Sequence, residues 1–207
     1  VSDTGTWTLG PSLTAEQILI ITGSASGIGL AAAKLALDEG ASVLGVDIVA
    51  SPSSLTGHPN YKFLQGNLCH ERTPKDVVQA CIEAFGGRID GLLNVAGVMD
   101  ANQSVDSLSD EIWERCISVN LTAPVKLMRE VIVIMQQQKS GNIVNIASKA
   151  ALSGAVAGVA YTASGYPSKL SCHDVIATLL SQFVRQAWFG RSDEKRGLEI
   201  QAREHPL

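Results

Sequence analysis

The chain is poor in charge, in aromatic rings and in clustered metal ligands, and each shortage closes a class of function. Charged residues are 17% of the 207 and the net charge is −4, which gives no electrostatic case for a nucleic-acid partner. Aromatic residues are only 5%. Cys69, Cys81, Cys116 and Cys172 fall at no metal-ligand spacing and in no close pair, so reduced, buried thiols and no metal site are expected. No apolar run approaches membrane-spanning length, and the N-terminus lacks the basic flank and apolar core of a leader. The expected compartment is the cytoplasm, with no membrane partner. The chain opens on Val1 rather than methionine, as expected of a processed, trimmed or partial chain.

What is present is apolar and alternating. Hydrophobic residues at 45% and a length of 207 suit one folded α/β domain. Apolar runs at 18–21, 41–47, 61–64, 92–96 and 142–147 predict five strands. Between them lie helical patterns: Ile28, Ala32 and Leu35; then Val77, Cys81 and Phe85 behind Thr73-Pro74 as N-cap and first-turn proline. A helix opens near Ser109, and a longer one runs through Val125, Met128, Ile132 and Met135. Strand–helix alternation implies a parallel sheet covered on both faces. Residues 1–14 read as an arm, 15–189 as the domain and 190–207 as a polar tail.

The most informative stretch is Thr22-Gly23-Ser24-Ala25-Ser26-Gly27-Ile28-Gly29, entered by a strand and left by a helix. Glycines there permit a tight turn and close backbone approach, and the helix N-terminus turns its free N–H groups toward a pyrophosphate. Asp47 ends the second strand, about where a ribose-binding carboxylate belongs. The unit reads as a dinucleotide binder. No Gly-Lys-Ser/Thr follows, which removes a nucleotide-triphosphate loop. A methyltransferase binding adenosylmethionine also uses a glycine turn and a later carboxylate, but usually leads in with an acidic residue, where this chain has Thr22. Ligands of such sheets lie beyond the carboxyl ends of the strands. The residues to weigh are therefore Gly23 to Gly29, Asp47, Asn67, Leu68, Asn94 to Gly97 and Ser148.

From about Glu16 to Ser164 the chain resembles the short-chain dehydrogenases/reductases. Thr22–Gly29 fits that family's Thr-Gly-x-x-x-Gly-x-Gly turn, and Asn94-Val95-Ala96-Gly97 its Asn-x-Ala-Gly. Asn120 fits the active-site asparagine; Ser148 and Tyr161, thirteen residues apart, fit the catalytic serine and tyrosine. Taken singly each has a plainer reading: Asn120 as a polar group at a helix kink, Ser148 as a turn residue, Tyr161 as a core tyrosine. Their joint order makes the match specific. The resemblance implies a Rossmann-like doubly wound parallel sheet of order 3-2-1-4-5, lacking the family's C-terminal strands. It also implies hydride transfer between NAD or NADP and a small alcohol or ketone.

In that reading Tyr161 is the acid/base, Ser148 holds the substrate oxygen and Asn120 holds a relay water. Gly23, Ser26, Gly27, Ile28, Gly29, Asn67, Leu68, Asn94, Ala96, Gly97 and Tyr161 contact coenzyme. Asp47 accepts from the ribose hydroxyls and disfavours a 2′-phosphate, so NAD is favoured. Asn67 stands where the family usually has aspartate facing adenine, and its amide oxygen still accepts. Relatives commonly pair through the helices after the fourth and fifth strands, which leaves a homo-oligomer open.

The pattern breaks at the lysine. A free tyrosine titrates near ~10 and needs nearby positive charge to act at neutral pH. The family supplies a lysine four residues later; here Gly165 stands there, followed by Tyr166-Pro167-Ser168-Lys169. Lys169 lies about 12 Å along a continuous helix, too far to substitute. Pro167 is expected to open a new helix through Val175, Leu179, Phe183 and Trp188, leaving Tyr161 on a loop. Tyr166 with Ser153 mimics the serine–tyrosine spacing, but Ser153 does not directly follow a strand. After Ser164 the resemblance ends. A frame change or retained intron is expected to have replaced the C-terminal portion, leaving the fifth strand at an edge and the pocket without its lid. The alternative to an enzyme is a non-catalytic dinucleotide-binding protein or a degenerate product.

Overall fold

Ile18–Thr22 forms a strand, β1, in which all five side chains are buried, and such a strand must lie inside a sheet covered on both faces. The computed structural model describes residues 16–148, 150 and 157–165. β1 pairs in parallel with β2 (Ser42–Asp47) on one side and β4 (Gly91–Asn94) on the other. β3 (Tyr61–Gln65) continues beyond β2, and β5 (Asn142–Asn145) beyond β4, both in parallel. The order β3-β2-β1-β4-β5 is the Rossmann-like arrangement expected. Its direction reverses between β1 and β4, which opens a crevice at their carboxyl ends.

Alternation along β1 sends its residues to two cores. Ile18 and Ile20, with Leu44, Val46, Leu92 and Ile143, pack against Val77 and Cys81 of α2 (Thr73–Phe85) and Leu127, Val131 and Met135 of α4 (Ala123–Gln138). Leu19 and Ile21, with Val43, pack against Ala33, Ala36 and Leu37 of α1 (Gly27–Asp38). The alanines let α1 approach the sheet closely.

At the amino ends of the strands, backbone groups find unusual partners. The Asp90 carboxylate accepts from Ile18 N–H at 2.9 Å and pairs with the Arg88 guanidinium at 2.6 Å. The amide of Gln138, closing α4, exchanges two hydrogen bonds with the Ile89 backbone, at 2.8 and 2.9 Å. Sheet and helix layer are thereby tied at one end.

Some boundaries differ from expectation. β4 ends at Asn94 rather than Ala96, because the Val95 and Ala96 N–H groups leave the ladder for the Thr22 hydroxyl. β5 ends at Asn145, with Ile146 N–H still bonded to Asn94 O at 3.0 Å. Thr73 is the first residue of α2 rather than its cap, with Pro74 second. Ser109 does cap α3 (Asp110–Ile117), its Oγ accepting from Ile112 N–H at 3.3 Å. α3 and α4 are joined by a π-helical turn, Ser118–Thr122, and run on as one rod. Tyr161 is helical, not in a loop: it belongs to a helix, α5, whose described part covers residues 159–165 and includes Gly165. The arm, the tail, Cys172, Ser153, Lys169 and the helix expected from Pro167 lie outside the described residues.

Among the described residues no helix is long and apolar enough to cross a membrane. Cys81 and Cys116 are free and buried; Cys69 is half-buried. Burial, then the Asp90 charge, pushes the Cys81 thiol up to about 12. A thiol raised on folding contributes stability that is complete below its unfolded value of ~8.5 and is lost as pH rises toward the folded value. Alkylation of the native chain at pH 8, mapped by mass spectrometry, should therefore spare Cys81 and Cys116 and label them only after denaturation. Leu127→Ala should lower unfolding free energy by about 2–5 kcal/mol in urea titration, since it leaves a cavity under α4.

Candidate dinucleotide crevice and reaction cavity

The glycine turn is built by contacts that exclude side chains. Gly23 and Gly27 take φ of +67° and +52°, where a Cβ is unfavourable. A Cβ on Gly29 would lie 2.1 Å from the Gly23 carbonyl oxygen, so the first turn of α1 rests directly on the loop. A Cβ on Gly27 would meet nothing within 4 Å. Gly29 serves the packing of the protein on itself, whereas Gly27 faces open space at a helix N-terminus, where an anion is favoured.

That space belongs to a crevice of about 480 Å³. Gly23, Ser26, Gly27, Ile28 and Gly29 line it from the turn, and Asp47 from the end of β2. Asn67 and Leu68 line it beyond β3, Ala96 and Gly97 beyond β4. Asp47 is half-buried; Oδ2 accepts from Ala25 N–H at 3.0 Å and Oδ1 from Val49 N–H at 3.2 Å. The carboxylate is thus aimed by the turn itself. Asn67 Oδ1 accepts from Cys69 N–H at 3.0 Å, which fixes its amide in the loop.

A second cavity of about 200 Å³ adjoins the first, and Ile28 and Val95 to Val98 line both. Asn94, Asn120, Ser148 and Tyr161 line this one, as does Gly165. Asn120 sits in the π-helical turn. Its Oδ1 accepts from Val98 N–H at 2.8 Å, while Nδ2 donates to Val98 O at 2.9 Å and to Ser164 Oγ at 2.9 Å. Ser148 Oγ accepts from Ala150 N–H at 3.2 Å. Asn94 donates to Asn145 Oδ1 at 2.8 Å, joining the ends of β4 and β5. All the expected site residues therefore line one or the other of two adjoining cavities.

Three contributors were not singled out from sequence. Thr22 Oγ1 accepts from Val95 N–H at 3.0 Å and from Ala96 N–H at 3.2 Å, holding the ends of β1 and β4 in register. Ser164, wholly buried, donates to Tyr161 O at 3.0 Å and so links Asn120 to α5. Asp100, also wholly buried, accepts from Tyr161 N–H at 2.9 Å. Thr22 stands inside a recognised motif, so its position was a signal; Ser164 and Asp100 depend on packing across the chain and had none. Among the described residues no group of three or more His, Cys, Asp or Glu could hold a metal ion.

Comparison with known proteins places this geometry. Residues 17–178 match the short chain dehydrogenase family, a match that continues past Ser164. The chain is 75% identical over 149 residues to the asnovolin H dehydrogenase nvfC of Aspergillus novofumigatus, covering 72% of this chain and 58% of that protein. It is 70% identical over 153 residues to the short chain dehydrogenase adrF of Penicillium roqueforti, covering 74% and 60% respectively. It spans about three-fifths of the length of these relatives. A 4-hydroxyisoleucine dehydrogenase complexed with NADH shares its fold with a TM-score of 0.70 and 30% identity, over 80% of this chain and 70% of that one. The chain belongs to the short-chain dehydrogenase/reductase family.

Proposed function

We propose that the crevice binds a nicotinamide dinucleotide, NAD in preference to NADP, and that the adjoining cavity is built for interconversion of an alcohol and a ketone. The observation that carries this reading is a pair of adjoining cavities, sharing Ile28 and Val95 to Val98 as walls, that lead from Asp47, past the open face of Gly27, to Tyr161. The fit to a dinucleotide is physical. The left-handed Gly27 leaves room for a pyrophosphate where a Cβ would project, and the α1 N-terminus supplies N–H groups toward it. Asp47 accepts from ribose hydroxyls and repels a 2′-phosphate. Asn67 and Leu68 border the adenine end, and Asn94, Ala96 and Gly97 form the floor beneath the nicotinamide.

When bound, the nicotinamide accepts or gives the hydride. The chain's own residues handle the rest. Ser148 Oγ holds the substrate oxygen, and the Tyr161 hydroxyl exchanges the proton with it. Asn120, bonded through its side-chain amide to Val98 and Ser164, keeps one Oδ1 lone pair with which to hold a relay water. The names of the relatives as dehydrogenases, one of them a structure holding NADH, support the reaction class. Free, buried thiols suit a reducing cytoplasm.

A second reading is favoured by one observation. Gly165 lines the reaction cavity at the position the family fills with lysine, so that position brings no ammonium beside the tyrosine. On this reading the chain binds coenzyme with little turnover.

Calorimetry should detect NADH binding, with NADPH weaker; absence of heat with either overturns the proposal. Asp47→Asn keeps an acceptor for Ala25 but loses the charge, and should weaken NADH about tenfold with little change in melting temperature. Two glycine variants separate packing from ligand space. Gly29→Ala should cost about 3 kcal/mol of stability, because its methyl meets backbone. Gly27→Ala should cost only about 1–2 kcal/mol of strain yet weaken NADH at least about tenfold. With a panel of secondary alcohols, nicotinamide absorbance should change little for the unaltered chain and about a hundredfold faster for Gly165→Lys. Ordinary turnover by the unaltered chain would remove the second reading.

A further inference from the structure

We infer that Asp100 is a positioning residue for Tyr161, acting as the N-terminal cap of α5 from a distant loop. The inference rests on the proposed role of Tyr161 for its functional meaning, but the contact stands on its own geometry. α5 begins at Val159, so its capping position falls on Gly158, which has no side chain to accept from the first-turn N–H groups. A glycine is required there because a Cβ would lie 2.4 Å from Asp100 Oδ2 and 2.6 Å from Gln103 N. The space a capping side chain would fill is taken by the loop that follows β4.

That loop supplies the missing acceptors. Asp100 Oδ2 accepts from Tyr161 N–H, the third residue of the helix, at 2.9 Å. This is the N–H an N-cap side chain ordinarily satisfies. Gln103 O accepts from Val159 N–H, the first residue, at 3.1 Å. Asp100 Oδ1 meanwhile accepts from Asn102 N–H at 3.1 Å, holding a turn in which Ala101 and Asn102 both take left-handed φ, +55° and +58°. Two successive non-glycine residues seldom adopt that conformation without such a constraint. Met99 O, next in the loop, accepts from the Arg115 guanidinium at 3.3 Å, which anchors it to α3.

The carboxylate has no cation partner within the ion pairs of the described residues, which are Arg72–Asp76 and Arg88–Asp90. Its charge is compensated by N–H groups and by the positive end of α5. It lines neither of the two cavities. Its effect on the site passes through the backbone of Tyr161. Together with the Ser164 bond to Tyr161 O, it pins that residue at both its N–H and its C=O.

The test compares Asp100→Ala with Asp100→Asn in the full chain by NMR. The chain has three tyrosines, Tyr61, Tyr161 and Tyr166, so ring-carbon labelling resolves them, with Tyr161→Phe giving the assignment. Asp100→Ala should speed exchange of the Tyr161 amide about tenfold or more and shift or broaden its ring signal, while the Tyr61 signal stays fixed. Asp100→Asn, which retains an acceptor, should restore both. An unchanged Tyr161 amide and ring in Asp100→Ala overturns the inference, as do equal changes at Tyr61 or failure of asparagine to restore. If alanine prevents folding, the unaltered chain decides: a Tyr161 amide exchanging at an unprotected rate overturns it. NADH calorimetry on the same samples is the separate check, since lost coenzyme binding in the unaltered chain sinks the proposed function and leaves this contact intact.

Discussion

The hydroxyl of Thr22 accepting the N–H groups of Val95 and Ala96 is the constraint on which the crevice depends. At that point the chain order of the sheet reverses, and the loops after β1 and β4 depart to opposite faces. Two backbone donors that have left the ladder need an acceptor, because buried and unpaired they would each cost about 1–3 kcal/mol. Thr22 supplies it from the neighbouring strand while staying buried itself. The strands are thereby held together as far as their last residues, and the loops beyond them diverge from a fixed base. Gly23, immediately next, packs so closely on Ala96 that a Cβ there would lie 2.9 Å from its backbone.

The smaller cavity depends on a different kind of connection. Its walls come from the end of β4, the π-helical turn and α5, which are far apart in sequence. Asn120 brings them together. The π turn places an extra residue in the helix, and its wider hydrogen-bonding step is a known way to aim a side chain inward. Asn120 then bonds both polar backbone groups of Val98 and reaches Ser164. With Asp100 and Gln103, this side chain sets the relation between the loop after β4 and the helix that carries Tyr161.

Much of this was legible in sequence for physical reasons. β1 is an unbroken apolar run, β2 an apolar stretch interrupted by Gly45 and ended by Asp47, and α1 and α4 show clear helical periodicity. The glycine turn and Asp47 could be placed because local backbone geometry limits which residues stand there. The ends of β4 and β5 were overrun because Val95-Ala96 and Ile146-Ala147 are apolar, while their partners are set by a threonine hydroxyl on another strand and by the crevice. Tyr161 was expected in a loop because Gly165 and Pro167 weaken a helix locally. Its first turn is instead helical, with acceptors that arrive from residues 100–103, about sixty positions earlier. No local pattern carries such information.

The ties at the amino ends of the strands have a consequence for how the sheet bends. Ile18, Asp90 and Asn142 are joined in a row by backbone bonds of 2.8 and 2.9 Å, reinforced by the Asp90 carboxylate and the Gln138 amide. The opposite rim is bonded as well, by the N–H groups of Gly23, Gly66 and Ile146 to Val46, Asp47 and Asn94 carbonyls and by the side chains of Thr22, Asp47 and Asn94. The sheet is therefore fastened at both rims, so its strands resist splaying at either end and the hydrophobic layers between keep their packing.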